Sequence, residues 1–230
     1  MAEQHVRDSS EGGRTRYWIR PMREDDIPQV LDIDHEAFST QWPPVSYASL
    51  KQELKNRMAH YVVLCASGPD FQNPPVSQPQ PGIWKKLKAR FAATKTRPQE
   101  TAMPRHDRLI GFAGTWKIYD EAHIISIAVR QMHRRRGFGE LLMLAVVHMA
   151  FQLQSKVITL EVRVSNHVAQ ELYVKYGFRS AGVRHRYYTD NNEDALIMTT
   201  EPINSDSFKA NYQRLRQSHI NRWPVLYHAT

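Results

Sequence analysis

The chain has little of what marks several common kinds of protein. Cys65 is its only cysteine, so no disulfide can form within it, and its place in the apolar run "YVVLCA" reads as a buried strand thiol rather than a nucleophile. That usage fits a reducing, cytoplasmic setting. No uninterrupted apolar run reaches the roughly 18 residues of a membrane-spanning helix, and the opening "MAEQHVRDSSEGGRTR" lacks the apolar centre of a signal peptide. A G-x-x-x-x-G-K-S/T phosphate loop is missing, as is the third glycine of a dinucleotide fingerprint.

What is present is a core and a charge. With 41% hydrophobic residues in 230, the chain can bury one substantial core and keep length for extensions. Lys and Arg number 31 against 23 Asp and Glu, a formal charge of +8, which suits polyanionic company: nucleic acid, ribosomes, acidic membrane surfaces or phosphorylated cofactors. Five of those eight net charges fall in 66–108, which also holds seven of the 13 prolines and reads as an insertion in a loop. Residues 1–15 read as a disordered extension, 16–203 as the domain and 204–230 as a basic C-terminal extension.

Periodicity gives the order of elements. "RYWIRPM" alternates as a strand, and "REDDIPQVLDIDHEAF" carries acids and Pro28 in the first turn of a helix. A second helix at Tyr47, Leu50 and Leu54 precedes the strand "HYVVLCA". "LIGFAGTWKI" and "HIISIAV" form an antiparallel hairpin. The next helix carries Leu141, Leu142, Ala145, Val146, Met149 and Leu153 as a broad apolar face. "KVITLEVR" reads as a strand buried on both faces in its first half. Asn166 caps a short helix that stops at Gly177, and "FRSAGVRHRYY" pairs with "ALIMTTEP" across a polar turn. The whole predicts a mixed α/β sheet with helices on both faces.

Between "IISIAV" and the long helix stands "RRRGFG". It presents backbone N–H groups at a helix N-terminus, where unpaired donors and the dipole favour an anion. Gly137 and Gly139 let a phosphate approach without a Cβ in the way, which suits a pyrophosphate. A G-x-G alone equally fits a basic turn that caps a helix, or a nucleic-acid patch.

The motifs that follow in order are more specific. Arg134, Gly137 and Gly139 in "RRRGFG", then "LEVRVSN" (160–166), "LYVKYGF" (172–178) and "YY" followed by "EDALIM" (187–198) resemble the Gcn5-related N-acetyltransferase superfamily. Within it they look like the bacterial ribosomal-protein-alanine N-acetyltransferases (the RimI type). The resemblance implies a mostly antiparallel sheet of about seven strands, with acetyl-CoA as co-substrate and no metal. Pantetheine would pair with the backbone of Ile127, Ala128 and Val129 as if it were another strand. The pyrophosphate would meet Arg134, Arg135, Arg136, Gly137, Phe138, Gly139 and Glu140. Asn166 would satisfy a pantetheine polar group, cap a helix, or both.

By the same resemblance Glu161 matches the general base, acting directly or through water, and Tyr173 the acid that protonates the CoA sulfur. The acceptor would be the N-terminal amine of a small-subunit ribosomal protein, alanine first, in a channel walled by Trp42, Tyr187 and Tyr188. Two other classes stay open. A small-molecule or polyamine acetyltransferase of this fold would show a strongly acidic acceptor cleft, where the candidates here are mainly aromatic. A ribosome- or RNA-binding module would keep the fold without catalysis. In the insertion, "GIWKKLKARF" spaces Trp84, Leu87 and Phe91 as a short basic amphipathic helix, suited to a ribosome or an anionic membrane surface, or to packing on the enzyme itself.

Overall fold

The computed structural model describes residues 15–38, 44–68 and 108–224, and the first strand among them is β1 (Arg16–Pro21). Then come α1 (Ile27–Ala37), α2 (Tyr47–Glu53), β2 (Ala59–Ser67), β3 (Arg108–Ile118), β4 (Glu121–Val129) and α3 (Phe138–Gln152). The chain continues with β5 (Val157–Arg163), α4 (His167–Lys175), β6 (Phe178–Tyr188), β7 (Glu193–Thr200) and α5 (Asp206–Arg222). The strands form one seven-stranded sheet, β1-β2-β3-β4-β5-β7-β6, antiparallel everywhere except between β4 and β5. The mixed sheet and the order of elements through β7 are those the sequence predicts. Trp42 and residues 69–107 of the insertion, with its basic helix, lie outside the described residues; β2 extends to Ser67 and β3 begins at Arg108.

Alternation along the strands builds two cores. Val63 and Cys65 of β2 face α1 and α2, where they join Ile27, Val30, Ile33, Leu50 and Phe112. Leu64, between them, faces the other way, into the larger core with α3, α4 and α5. Local signals hold the helix ends. Ser46 accepts from the Ser49 N–H ahead of α2, Asn166 from the Ala169 N–H ahead of α4, and Gly177, at φ +88°, stops α4.

Two expectations need correction. Burial along β5 alternates strictly, Ile158, Leu160 and Val162 inside and Thr159, Glu161 and Arg163 half open, because its second face looks into a cleft rather than a core. In α3 the expected face is too narrow: Phe138, Leu142, Met143, Leu144, Val146, Val147 and Ala150 are all buried, and Leu141, Ala145 and Met149 only half-buried. Such a helix, apolar nearly all round, needs cover on two sides. One side is the sheet and the other is α5, in the stretch read as a basic tail. Phe208, Tyr212, Leu215 and His219 recur at i, i+4, i+7 and i+11 and bury against α3, with Phe151 edge-on to Phe208 and Tyr212 at 6.2 and 5.4 Å. Each large apolar side chain so buried contributes about 1.5–3 kcal/mol.

Candidate active site

The site begins where two parallel strands part. β4 pairs with β5 only from Glu121↔Val157 to Ile124↔Leu160, and a bulge in the β3–β4 ladder falls at Ile125. Beyond it, Ile127, Ala128 and Val129 have no β5 neighbour, so one edge of β4 is open. Glu161 stands one residue past the last paired position, on the β5 face that looks out.

Two clefts meet at this opening. The first, about 610 Å3, is bordered by Asp34, Glu53, Tyr61, Glu161, Tyr187 and Tyr188. The second, about 770 Å3, runs along the β4 edge to the glycine turn, past Val129, Arg134, Arg135, Gly137, Gly139 and Glu140. Ile127, Asn166 and Tyr173 border both.

Glu161 is nearly enclosed and strongly held. His123 Nε2 lies 2.9 Å from one carboxylate oxygen and Arg184 Nη2 3.1 Å from the other. The hydrogen bond from His123, then the charges of His123 and Arg184, outweigh burial and hold its carboxyl below the usual range, so it is a carboxylate at neutral pH. His123 reaches it because β4 and β5 are in register: His123 pairs with Thr159, two residues before Glu161 on the same face. Its Nδ1 is 2.9 Å from Thr159 Oγ1. A carboxylate only accepts, so Nε2–H donates to Glu161, and the contact to Thr159 holds the ring in that orientation. His123 and Arg184 went unmarked in the sequence; alternation puts His123 and Glu161 each on one face of its strand, but the register that joins them is set only in the sheet.

Tyr173 lies on the buried side of α4, its ring 5.7 Å from that of Phe178. Burial, and then Tyr188, push its phenol well above the ordinary range, so it keeps its proton. A buried, protonated phenol at the junction of two clefts can donate a proton to either. Asn166 has spent its side-chain oxygen on the α4 cap, and its amide hydrogens are the donors it retains.

On the acceptor side, Arg163 anchors the β6–β7 loop through both oxygens of Asp190, at 3.0 and 2.9 Å, and through Glu193 at 3.1 Å. Its guanidinium lies 3.9 Å over the Tyr188 ring, and Tyr187 packs edge-on at 5.2 Å. Burial pushes the Tyr188 hydroxyl up to about 12. This wall is not only aromatic. Burial raises Asp34 to about 6, and Glu53 accepts from Trp116 Nε1 at 2.7 Å.

The glycine turn divides its labour unevenly. Gly137, at φ +79°, is the residue before α3 and takes a left-handed conformation that few others adopt. Gly139 is ordinary in conformation, and a Cβ there would meet only Leu172 Cδ2 at 4.0 Å, so its face opens to the cleft. Arg134 and Arg135 border the cleft, Arg134 donating from Nε to the Val129 carbonyl at 3.2 Å. Arg136 is turned toward His133 and the Phe138 ring, and Phe138 is buried beside Tyr17. Glu140 is paired with Lys175 at 2.6 Å. An open strand edge, N–H groups at a helix start, cations and a glycine with free approach fit a thioester-bearing pantetheine and its pyrophosphate.

These features define an acetyl-CoA-dependent N-acetyltransferase, and the chain belongs to the acetyltransferase (GNAT) family, whose model matches residues 27–178. Among relatives, a Bacillus subtilis protein provisionally named a ribosomal protein bS18-alanine N-acetyltransferase is 32% identical over 185 residues, 80% of this chain and 95% of its own. The ribosomal protein bS18-alanine N-acetyltransferase of Salmonella typhimurium is 41% identical over 97 residues, 40% of this chain and 64% of its own. The crystal structure of the ribosomal-protein-S18-alanine N-acetyltransferase of Escherichia coli shares the fold, with a TM-score of 0.57 at 24% identity over 82% of this chain and 95% of that one. Among the described residues, no helix is long and apolar enough to cross a membrane.

Proposed function

We propose that the enzyme acetylates the N-terminal α-amine of a protein, an alanine at the head of a small-subunit ribosomal protein. The observation that carries this reading is the meeting of the two clefts at Tyr173, with Glu161 on the acceptor side. The names of the Bacillus and Salmonella relatives support the choice of acceptor. A peptide terminus enters the first cleft between the α1–α2 side and the Tyr187–Tyr188 wall.

Acetyl-CoA, bound along β4, supplies the activated acetyl thioester. Glu161 takes a proton from the ammonium, directly or through water, and delivers a neutral amine. That removal is slight work, since a free α-amine has a pKa of about 7.7–8.0. His123 is a positioning residue: its Nε2, 2.9 Å from a Glu161 oxygen, orients the carboxylate toward the acceptor cleft. Tyr173 gives its phenolic proton to the departing sulfur. Attack is direct, and Cys65, buried in the core with α1 and α2 and bordering neither cleft, has no part in it.

The three carboxylates in the first cleft bear on the polyamine alternative. Glu53 is engaged by Trp116 and Glu161 by His123 and Arg184, which among the described residues of the cleft leaves Asp34 as the carboxyl to meet a cation. One such group suits a single ammonium better than a polyamine with several. Two peptides of one sequence decide between acceptors, one with a free N-terminus and one blocked but carrying an internal lysine. Mass spectrometry should find acetyl on the first alone; comparable modification of the blocked peptide, or preference for spermidine, overturns the reading. The basic insertion we assign to docking on a ribosome or an anionic surface: deleting Pro69 to Pro104 should spare peptide acetylation and weaken salt-sensitive binding to ribosomes or anionic vesicles.

A further inference from the structure

The C-terminal helix does more than cover α3. His219, buried at its end, has Nε2 2.9 Å from the Gly137 carbonyl. A carbonyl only accepts, so Nε2 carries the proton, and burial, which lowers the imidazole's pKa, keeps the ring neutral. One turn on, Trp223 lies against the same glycine: a Cβ on Gly137 would come within 2.6–2.8 Å of Nε1, Cδ1 and Cε2 of the indole. Arg222 is exposed, its guanidinium carbon 5.5 Å from the Trp223 ring centre. Both residues border the second cleft, beside Gly137, Gly139 and Lys175. So α5 is fastened to the glycine turn at two points and adds a planar aromatic and a planar cation to the wall of the cleft.

We propose that Trp223 and Arg222 receive the 3′-phosphoadenosine end of CoA, Trp223 contacting the purine and Arg222 the 3′-phosphate. The inference rests on the reading of this cleft as the acetyl-CoA site. The make-up of the cleft wall carries it. With the thioester at Tyr173 and the pyrophosphate at the open face of Gly139, what remains of CoA is an aromatic base and a dianionic phosphate. What α5 and the residue after it add to the wall beside the turn is a guanidinium and an indole. Indole faces stack on bases with little regard to their identity, and a guanidinium fork matches phosphate oxygens. Residues 27–178, which match the family model, end before α5, so this part of the site is supplied by a segment outside that match.

Calorimetric titration of the full chain with CoA and with 3′-dephospho-CoA tests the assignment. The wild type should prefer CoA by roughly tenfold or more, the scale of one charge-assisted phosphate contact. Arg222→Ala should lose most of that preference while binding dephospho-CoA as before. Trp223→Ala should weaken both ligands alike, by roughly tenfold or more, and Trp223→Phe should recover much of the loss. Melting of the ligand-free variants separates a damaged fold from a damaged wall. Undiminished preference for CoA in Arg222→Ala overturns the proposal, as does tighter CoA binding in either Trp223 variant, which would make the helix a plug. A wild-type chain that binds neither ligand would remove the acetyl-CoA reading itself.

Discussion

The two clefts that meet at Tyr173 are made of different material. The second is backbone and charge: an open strand edge, a left-handed glycine, helix N–H groups, and cations along its length. The first is side chains held by other side chains, Glu161 by His123 and Arg184, Tyr188 by Arg163, Glu53 by Trp116. A ligand shared by a whole family can be gripped by backbone geometry. Selection of one acceptor, and the proton transfers, need placed functional groups. Substitutions should therefore damage the two clefts in separable ways.

The largest separation is expected at the junction. Glu161→Gln and Tyr173→Phe should each lower kcat by roughly 10²–10⁴-fold, as for a lost base or acid, with calorimetric affinity for acetyl-CoA little changed. Near-normal turnover under chemistry-limited conditions would remove both roles. Gly139→Asp is the mirror case. It places a carboxylate where a phosphate should approach, so acetyl-CoA binding should vanish in a protein that melts like the wild type. Unchanged affinity would detach the glycine turn from the cofactor.

Smaller effects sharpen the contrast. Arg163→Ala frees the β6–β7 loop from Asp190 and Glu193, and should raise KM for the acceptor peptide about tenfold while KM for acetyl-CoA stays put; equal rises in both would argue that the loop serves both clefts. Gly137→Ala should cost about 1–2 kcal/mol of stability, since alanine resists the left-handed turn and its Cβ meets the Trp223 indole. A thermal melt reads that directly. His123→Ala should shift the pH–rate profile. His123 is the main cause of the lowered Glu161 carboxyl, so activity that needs the carboxylate persists to lower pH with it than without it. Removing the imidazole raises that pKa, and the acid limb of kcat/KM should move to higher pH. An unmoved limb would mean that Glu161 is not the group whose protonation silences the enzyme.

The second cleft was largely legible in the sequence, and the reason is physical. Where backbone must approach a phosphate, glycine is the solution, and Gly137 and Gly139 stand at a strand-to-helix turn that periodicity alone locates. Even so, Gly137 serves a conformation and a close indole rather than the approach of the ligand, a distinction that needs three dimensions. The first cleft was legible only through resemblance. His123 and Glu161 are 38 residues apart, and their contact follows from the parallel register of β4 on β5, which no local pattern states. The helix α5 escaped for a third reason. Its apolar positions, Phe208, Tyr212 and Leu215, are sparse within a basic, polar stretch, and the excess apolar surface of α3 was the missing half of the evidence. Trp42, offered as part of the acceptor wall, falls outside the described residues.

That two unlike clefts form one continuous site at Tyr173 is most directly tested with a single molecule: an alanine-led peptide whose N-terminal nitrogen is joined, through the acetyl carbons, to the sulfur of CoA. If the clefts communicate there, this conjugate should bind at least 10²-fold more tightly than CoA or the peptide alone, because the second half binds at high effective concentration. Its advantage should collapse in Gly139→Asp. A conjugate that binds no more tightly than CoA would show that the peptide half finds no cleft within reach, and would contradict the joined site on which the proposed acetyl transfer depends.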